Sequence, residues 1–378
     1  MMINHFPDRK LRDKDIKYMK SALRMAKKGL GKTSPNPAVG AVIVRDDRII
    51  ASGYHKKAGA DHAEVDTLSN MKGKIASGDI MYVTLEPCNH QGKTPPCTRA
   101  IIESGIKNVV VGMMDPNPYV KGGGIEFLKS RGINVKTGVL EKECEQLLEP
   151  WSKYSRTGRP YIIAKSALTL DGYSATSTGH SMWVTGDAAR QHVHRLRSEV
   201  DAVMVGIGTV IADDPQLTSR LKRGKWRNPV RIIVDTHLRI PEDAKLLNDD
   251  SKTSNFIIVG KDVDMKLIKR VERGNTSVIK CPLKDNRIDL SAMLDILGKR
   301  SLTSILFEGG AEMMGSMIRE RLIDRFLIFK APKLLGGNDG IPMSKGKGPL
   351  YMSDSFNLKE IKVKKYGEDI LISGYPVY

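Results

Sequence analysis

Two stretches decide the fold of the first half of the chain: ADHAEV at residues 60–65 and YVTLEPCNHQGKTPPC at residues 82–97. The first puts an imidazole and a carboxylate at the start of a predicted helix. The second puts one thiol after a predicted strand and another before a predicted helix. Helix N-termini favour thiolates because free backbone amides and the helix dipole stabilise negative charge. The spacing therefore predicts an α/β unit with nitrogen and sulfur ligands gathered at helix starts.

These ligands form a metal-binding pattern. His62, Cys88 and Cys97 supply one nitrogen and two sulfur atoms, which suits tetrahedral zinc with a fourth position open for water. Bound zinc lowers the pKa of that water toward neutrality. Glu64, two residues after the histidine, can carry a proton from the water to a departing amine, as in zinc deaminases. We predict that the first three residues bind Zn²⁺ and that Glu64 is catalytic.

Two other interpretations of the pattern stay open at this stage. Eight residues separate Cys88 from Cys97, whereas the common deaminase signature has two between its cysteines. His90 lies in that interval and could be a fourth ligand, which would make the site a closed structural zinc staple. The histidine and cysteines could also be unrelated. Cys144 and Cys281 are isolated in regular segments, so we interpret them as packing residues.

Strands and helices alternate outward from these stretches. A helix is predicted from Asp15 to Lys28, followed by a hairpin that turns at Asp46-Asp47. A helix over 141–158 leads into the connector SRTGRP, after which a new strand pattern begins. The 378 residues exceed one ordinary core. We therefore predict two α/β domains, 1–150 and 151–378.

The second half carries a weaker phosphate-binding signal. No GxGxxG follows a strand, so a Rossmann dinucleotide site is not indicated. SILFEGGAEMMGSMI at residues 304–318 predicts a strand, a glycine turn and a helix start, which exposes backbone amides to a phosphate. A turn that only lets the helix pack closely is an equal interpretation of the same glycines.

The composition limits the class of partner. The net charge is +18, but no basic run reaches five residues, which argues against nucleic-acid binding. No apolar run approaches the roughly 18 residues of a membrane span. The N-terminal stretch has no apolar signal core, so we predict a cytoplasmic protein without a membrane partner. The sequence leaves both a monomer and a homo-oligomer open.

Four motifs of the first half identify a family. PNPAVGAVIV (35–44), GYHKKAGADHAEV (53–65), the stretch at 82–97 and MDPNP (114–118) occur in the order found in bifunctional riboflavin-biosynthesis deaminase–reductases, and the chain resembles that family. The resemblance implies a cytidine-deaminase-like α/β/α domain. It also implies that the pocket for a phosphorylated pyrimidine is lined by Asn36, His55, Lys93, Asp115 and Asn117. From the residues alone, Asn36 could only shape a turn, Asp115 and Asn117 could be loop caps, and His55 could be a surface histidine.

The second half resembles the reductase domain of the same family. AKSALTLDG (164–172), SMWVTG (181–186), VGIGTVIADDPQLTSR (205–220), LFEGG (306–310) and APKLLGG (331–337) carry the resemblance. It implies a dihydrofolate-reductase-like α/β fold. It also implies NADPH contacts from Ala167, Trp183, Thr209, Asp213, Thr236, Gly310, Ala311, Glu312, Met313, Met314, Gly315 and Ser316. The implied substrate contacts are Lys165, Ser181, Arg197, Leu217, Arg220 and Glu308.

Each of these positions also has a purely structural interpretation. Trp183 could belong to the core, Arg197 to a solvated helix face, and Asp213 to a turn. As a whole, the resemblance implies zinc-dependent deamination of a diaminopyrimidinone ribosylamine phosphate, followed by NADPH-dependent reduction of its ribosyl group. The alternatives are a nucleic-acid deaminase with a non-catalytic second domain and a non-catalytic zinc-binding module.

Overall fold

The computed structural model describes residues 9–91, 95–117, 123–222, 226–249 and 251–378, with side chains described from residue 13 onward. The chain divides into two compact units, Met1–Thr157 and Gly158–Tyr378. The division lies seven residues beyond the predicted boundary at 150, because a helix over Glu141–Thr157 continues through that position. In the described part of the chain, no helix combines the length and the apolar character needed to cross a membrane.

The first unit is built on a mixed five-stranded sheet. The strand order is β2-β1-β3-β4-β5. Strand β1 is antiparallel to β2 and β3, whereas β3, β4 and β5 are parallel. Its elements in chain order are α1 (Arg9–Ala26), β1 (Gly40–Arg45), β2 (Arg48–Tyr54), α2 (Ala63–Ser69), β3 (Ile80–Leu85), α3 (Cys97–Ser104), β4 (Asn108–Met113), α4 (Gly124–Ser130), β5 (Asn134–Thr137) and α5 (Glu141–Thr157).

The predicted hairpin and first helix are present. Asp46 and Asp47 join β1 to β2 with φ values of 45° and 61°, the left-handed pair that a tight hairpin turn requires. Helix α1 begins earlier than predicted and ends at Ala26, after which a short 3₁₀ turn covers Lys27–Gly29. Ile43 and Val83 on adjacent strands are fully buried, so the sheet forms the centre of this core.

The second unit is built on a nine-stranded sheet within the described residues. The strand order is β11-β10-β9-β8-β14-β6-β15-β18-β17. Neighbouring strands are parallel from β11 to β15, β18 is antiparallel to β15, and β17 is antiparallel to β18. The elements are β6 (Tyr161–Leu168), β7 (Tyr173–Ala175), α6 (Asp187–Glu199), β8 (Ala202–Gly206), α7 (Ile207–Asp213), β9 (Val230–Val234), α8 (Lys245–Asn248), β10 (Asn255–Gly260), α9 (Met265–Val271), β11 (Thr276–Cys281), β12 (Leu283–Lys284), β13 (Arg287–Ile288), α10 (Leu290–Gly298), β14 (Ser304–Phe307), α11 (Ala311–Arg319), β15 (Arg325–Lys330), β16 (Ile341–Pro342), β17 (Asn357–Tyr366) and β18 (Asp369–Val377).

The central strands of this sheet are apolar on both faces. On β8, Met204 belongs to one buried apolar cluster, and its neighbours Val203 and Val205, which point to the opposite face of the sheet, belong to another. Parallel strands covered on both sides read as continuous apolar runs, which is why AVMV, RIIV and FIIV stand out in the sequence. The run AVMVGIGTV (202–210) by itself predicts one continuous strand, and this prediction is wrong in its second half, because the chain turns into α7 at Ile207. The stretch FLIFKAPKLLGG (326–337) likewise predicts one long strand, but the strand ends at Lys330.

Gly40 provides a test of how tightly the first unit is packed. A Cβ atom at this position would lie 2.3 Å from both the carbonyl oxygen of Ala22 and the amide nitrogen of Ala26, on α1. Backbone atoms cannot rotate away, so we expect Gly40→Ala to separate α1 from β1 and to lower the free energy of unfolding by at least about 2 kcal/mol. The measurements are thermal unfolding and hydrogen exchange of the β1 amides.

Gly78→Ala is the matched control for this prediction. Its added Cβ meets no heavy atom within 4 Å, and no positive φ is recorded at that glycine. An equal midpoint and equal β1 protection in the two variants would show that the packing of β1 on α1 has been described wrongly.

Candidate functional site

The three predicted metal ligands meet in the first unit. His62 is the residue before α2, Cys97 is the first residue of α3, and Cys88 follows β3. Their ligand atoms all lie within 4.8 Å of one another, with His62 Nδ1 at 3.1 Å from Cys97 Sγ and 3.5 Å from Cys88 Sγ. Two helix starts and one strand end thus bring one nitrogen and two sulfurs to a single point.

The local backbone favours ionised sulfur at this point. The amide of Cys97 donates to Cys88 Sγ at 3.3 Å, as expected where the first amides of a helix lack internal partners. Hydrogen bonding from the Cys97 thiol, together with His62, holds the pKa of Cys88 at about 4. A thiolate is the form that binds a metal. The donor set therefore fits zinc.

A fourth protein ligand is missing from the described part of the cluster. His90, the candidate for a closed staple, is exposed and is not among the grouped ligands. A structural zinc site is normally closed by four protein ligands, while a catalytic one keeps a position for water. The cluster therefore has the composition of a catalytic site.

Glu64 lies beside these ligands in the first turn of α2. Its side chain is buried, with a relative exposure of 3% for the residue, and it is within hydrogen-bond reach of the Cys97 thiol. Burial, reinforced by the nearby Cys88 sulfur, raises the pKa of the Glu64 carboxyl to about 7. A carboxyl group that can hold or release a proton near neutral pH suits a general acid and base.

Two of the predicted substrate residues lie next to the metal cluster. His55 packs edge-on against His62, with ring centroids 5.2 Å apart. The Nδ1 atom of His55 lies 2.9 Å from the Asp61 carbonyl and its Nε2 atom 3.1 Å from Asn36 Nδ2, so both ring nitrogens are engaged. His55 is buried, and burial lowers its pKa. It is not a surface histidine.

The loop after β4 is tied to the same region by Glu86. The carboxylate of this residue accepts hydrogen bonds from the amides of Asp115 and Ile125, both at 3.1 Å. The Asn117 amide donates to Asp115 at 2.8 Å, so Asp115 does cap its loop. Burial raises the pKa of the Asp115 carboxyl, with smaller effects from Glu86, His90 and Cys88. Sequence reasoning missed Glu86, although it stands two residues before Cys88.

Lys93 lies outside the described residues. The described residues before and after it in sequence are bonded to each other. The Thr98 hydroxyl donates to Asn89 Oδ1 at 2.8 Å, and the Thr98 amide donates to the Cys88 carbonyl at 3.2 Å. These bonds hold the two cysteine positions together despite their separation in sequence.

The second unit contains a large cavity at the carboxyl ends of its parallel strands. Its volume is about 1480 Å³. All six predicted substrate residues of this unit line it, and so do ten of the twelve predicted NADPH residues: Ala167, Trp183, Thr209, Asp213, Thr236, Gly310, Ala311, Glu312, Met313 and Ser316.

The other two predicted NADPH residues point elsewhere. Met314 is buried in the apolar core, and a Cβ on Gly315 would lie 1.9 Å from the carbonyl oxygen of Lys345. The reason is that 311–319 forms a helix, which turns neighbouring residues to different faces. Met314 and Gly315 therefore pack the helix in place, and the residues before and after them face the cavity.

A buried ion cluster stands in this cavity. Glu308 accepts from Arg197 Nε at 2.7 Å and from Lys165 Nζ at 3.1 Å, and the three side chains are at most 17% exposed. Burial alone would raise the pKa of Glu308, but the two cations hold it at about 2. Arg197 is thus not on a solvated helix face. His194, which was not predicted, lines the same wall and lies 3.2 Å from the Thr218 carbonyl through Nδ1.

Trp183 is not a core residue, whereas Asp213 lines the cavity and also precedes the turn at Asp214, in keeping with its structural interpretation. Trp183 is 59% exposed and lies against the Arg190 guanidinium, 4.5 Å from ring centroid to Cζ. It is therefore available as a flat face for a cofactor ring. Asp213 is the last residue of α7, and burial raises the pKa of its carboxyl. The Thr209 hydroxyl faces the glycine turn, 3.6 Å from a Cβ built on Gly310. The cavity, the glycine turn and the helix start fit a dinucleotide phosphate.

Comparison with known proteins covers both units. A family model described as the cytidine and deoxycytidylate deaminase zinc-binding region matches residues 12–113, and one described as the RibD C-terminal domain matches residues 160–372. Riboflavin biosynthesis protein RibD of Aquifex aeolicus is 43% identical over 96% of this chain and 98% of its own length. That of Actinobacillus pleuropneumoniae is 40% identical over 95% and 94%.

A solved structure matches the whole architecture. It is a diaminohydroxyphosphoribosylaminopyrimidine deaminase/5-amino-6-(5-phosphoribosylamino)uracil reductase from Thermotoga maritima, 36% identical, with a TM-score of 0.85 and coverage of 97% of this chain and 100% of that one.

Together, the zinc-binding unit and the reductase unit define a bifunctional deaminase–reductase. The chain belongs to the RibD family of riboflavin biosynthesis. Its zinc-binding deaminase site comprises His62, Cys88 and Cys97. Reductases of this family use NADPH, and the family acts on phosphorylated pyrimidine intermediates.

Removing one ligand tests the metal site. We expect Cys88→Ser to lose most of its bound zinc, because a hydroxyl is a much poorer ligand than a thiolate. Elemental analysis of the purified protein measures zinc per chain. Cys144→Ala is the control, since Cys144 is buried in the same core away from the cluster. Zinc retained in Cys88→Ser, or lost equally from Cys144→Ala, would contradict the ligand assignment.

The ion cluster predicts a pH-dependent stability. The pKa of Glu308 falls from 4.5 to about 2 on folding, so its contribution is complete above about pH 4.5 and disappears as the pH falls toward 2. We expect Glu308→Gln to lower the free energy of unfolding by about 3 kcal/mol at pH 7, since two buried cations lose their partner.

Urea unfolding at pH 7 and at several values below pH 4.5 measures this difference. Glu368→Gln, at an exposed position, serves as the control. A gap between wild type and Glu308→Gln that stays constant down to pH 2.5 would contradict the assigned pKa.

Proposed function

We propose that the first unit removes the ring amino group of 2,5-diamino-6-ribosylamino-4(3H)-pyrimidinone 5′-phosphate. The second unit then reduces the ribosyl group of 5-amino-6-(5-phosphoribosylamino)uracil to the ribityl product. The observation that carries the proposal is the buried carboxyl of Glu64 beside a three-ligand metal cluster. The proposal places both reactions in the cytoplasm.

Glu64 is the proton carrier of the deamination. Bound zinc supplies a Lewis-acid centre that makes water nucleophilic near neutral pH. A Glu64 carboxylate oxygen takes the proton of that water and passes it to the ring amine, which leaves as ammonia. The position of Glu64 in the first turn of α2, two residues after His62, keeps the carboxylate beside the metal throughout the reaction.

The pyrimidine pocket is formed by the side chains around this centre. His55 fixes the orientation of the Asn36 amide, and Asn36 could form hydrogen bonds with the ring edge through its remaining amide atoms. Asp115 and Asn117, held by Glu86, would form the opposite wall. Lys93 remains our candidate for the substrate phosphate, because an ammonium group is a compact partner for a phosphate.

The reduction requires a hydride and a proton. Bound NADPH supplies the hydride to the sugar carbon, and the sugar oxygen released at that carbon takes a proton. Lys165 can donate that proton, because Glu308 holds its ammonium group at the cavity wall. Arg220 is the candidate for the substrate phosphate, since a planar guanidinium can bind two phosphate oxygens at once. Arg197 donates to Glu308 and to the Thr218 carbonyl, so its predicted contact with substrate would add positive charge to the site without a free pair of N–H groups.

Two measurements on one variant test the proposal. We expect Glu64→Gln to retain zinc but to release ammonia from the diaminopyrimidinone substrate at least 100-fold more slowly, the loss typical of a missing general acid and base. Given the deaminated compound directly, the same variant should consume NADPH at the wild-type rate, because the reductase cavity is built from the second unit alone.

Glu103→Gln, an exposed carboxylate on α3, is the control for this substitution. Unchanged ammonia release by a zinc-loaded Glu64→Gln protein would disprove the proton-carrier role. Wild-type protein that oxidises NADPH with the undeaminated substrate and without releasing ammonia would disprove the order of the two steps.

A further inference from the structure

One corner of the second unit's cavity carries basic side chains that the proposed reactions do not use. Arg239 follows β9, and Lys284 and Arg287 belong to the β12–β13 hairpin. All three line the cavity. Among the residues that the structure describes, neither Arg239 nor Lys284 has a carboxylate partner, and Arg287 has a long contact of 3.6 Å with Glu312. Asp285 also lines the cavity and the buried Asp235 carboxylate is near Arg239, but no carboxylate of the described residues forms a close ion pair with Arg239 or Lys284, so both cations are open to an anionic ligand.

The hairpin places two of these charges side by side. Lys284 pairs directly with Arg287 across β12 and β13, and the turn residues Asp285 and Asn286 have φ values of 52° and 57°. Like charges directly opposite one another in a hairpin are destabilising. A local cost of this kind is expected where the group serves binding, and an anion in the cavity would remove it.

A rigid turn presents the third charge. Asp235 is fully buried, and its Oδ2 atom accepts the Ile240 amide at 2.8 Å, while the nearby backbone of His237 and Arg239 partly offsets the rise of its pKa on burial. The carboxylate thus gathers the backbone of this turn while the Arg239 side chain projects into the cavity. The position of Arg239 is therefore set by the backbone of the turn.

Gly260 joins the turn to the hairpin. Its amide donates to the Thr236 carbonyl at 3.0 Å, and a Cβ at this glycine would lie 3.1 Å from that oxygen and 3.2 Å from Leu283 Cδ2. A side chain at this position would press on both segments, so glycine favours their close approach. The basic groups of both segments are thereby brought to one corner.

The sheet order sets the distance of this corner from the chemistry. Lys165 is on β6 and Glu308 follows β14, whereas the Thr236 turn follows β9, with β8 between β14 and β9. At about 4.8 Å per strand, β6 and β9 are roughly 14 Å apart. The N-terminus of α11 lies between them, after β14. Lys165 and Glu308, the N-terminus of α11 and the basic corner therefore lie in this order across the cavity.

We infer that Arg239, Lys284 and Arg287 bind the 2′-phosphate of NADPH and so select NADPH over NADH. The inference rests on the proposed cofactor position, with the nicotinamide near Lys165 and the diphosphate at the α11 N-terminus. The substrate also carries a phosphate monoester, so the same basic groups could in principle bind either the substrate phosphate or the 2′-phosphate of NADPH. Arg220 is the candidate for that group, and it lies near Arg197 of the ion cluster at the other end of the cavity.

The test measures binding by the full-length, zinc-loaded protein, using calorimetry at one fixed ionic strength. The ligands are NADPH, NADH, 2′,5′-ADP, 5′-AMP and ribose 5-phosphate. We expect Arg239→Gln and Lys284→Gln each to weaken NADPH and 2′,5′-ADP about tenfold, since a charge-assisted hydrogen bond is lost. Affinities for NADH, 5′-AMP and ribose 5-phosphate should change less than twofold.

Lys280→Gln is the matched control. It removes one positive charge from an exposed position on β11, next to β10, and Lys280 does not line the cavity. Its affinities for all five ligands should equal those of the wild type. This control separates a contact with the 2′-phosphate from a general change in the positive field of the protein.

Several outcomes would overturn the inference. Equal weakening of NADPH and NADH would mean that the corner contributes only a general field, and unchanged NADPH affinity would mean that it binds no phosphate. Loss of ribose 5-phosphate binding with intact 2′,5′-ADP binding would assign the corner to the substrate, leaving the proposed function in place. Wild-type protein that binds neither dinucleotide would refute the cofactor position and the inference together.

Discussion

A carboxylate taken out of water has to be neutralised by a proton or by fixed cations, and each unit of this chain uses a different one of these solutions. Glu64 is buried beside sulfur ligands, so its pKa rises to about 7 and the group can exchange a proton. Glu308 is buried between Arg197 and Lys165, so its pKa drops to about 2 and it stays charged. The first carboxylate is a reactant, and the second keeps two cations in position.

Both carboxylates lie in segments close to the carboxyl ends of strands. In the first unit, His62 and Cys97 stand at helix starts and Cys88 follows a strand, so the metal cluster is assembled by chain reversals at one edge. In the second unit, Glu308 occupies the corresponding kind of position after β14. The carboxyl edge of a parallel sheet is where loops are free to vary and where helix amides are unpaired, which explains why both sites lie at such an edge.

The sequence predicted the parts that depend on local spacing. The HAE triplet, the cysteines before and after a strand-loop segment, and the Asp46-Asp47 turn each need only a few neighbouring residues, and all three were found as predicted. Features that depend on tertiary contacts were missed. Glu86 binds amides of a loop about thirty residues away, and the β12–β13 hairpin is too short to give a periodic signal. Met314 and Gly315 could have been placed by helical periodicity, since 312, 313 and 316 share the cavity face.

The strand order of the second unit has a consequence for its synthesis on the ribosome. Strand β14 lies between β6 and β8, although β8 is translated about 100 residues earlier and β6 about 140 residues earlier. At roughly 5–20 residues per second, about 5–30 s pass between the synthesis of these two strands and the synthesis of the strand that joins them. During that time the edges of β6 and β8 that later pair with β14 have no hydrogen-bonding partner strand. The nascent second unit is therefore a candidate client for chaperones, whereas the first unit has already emerged as a complete sheet.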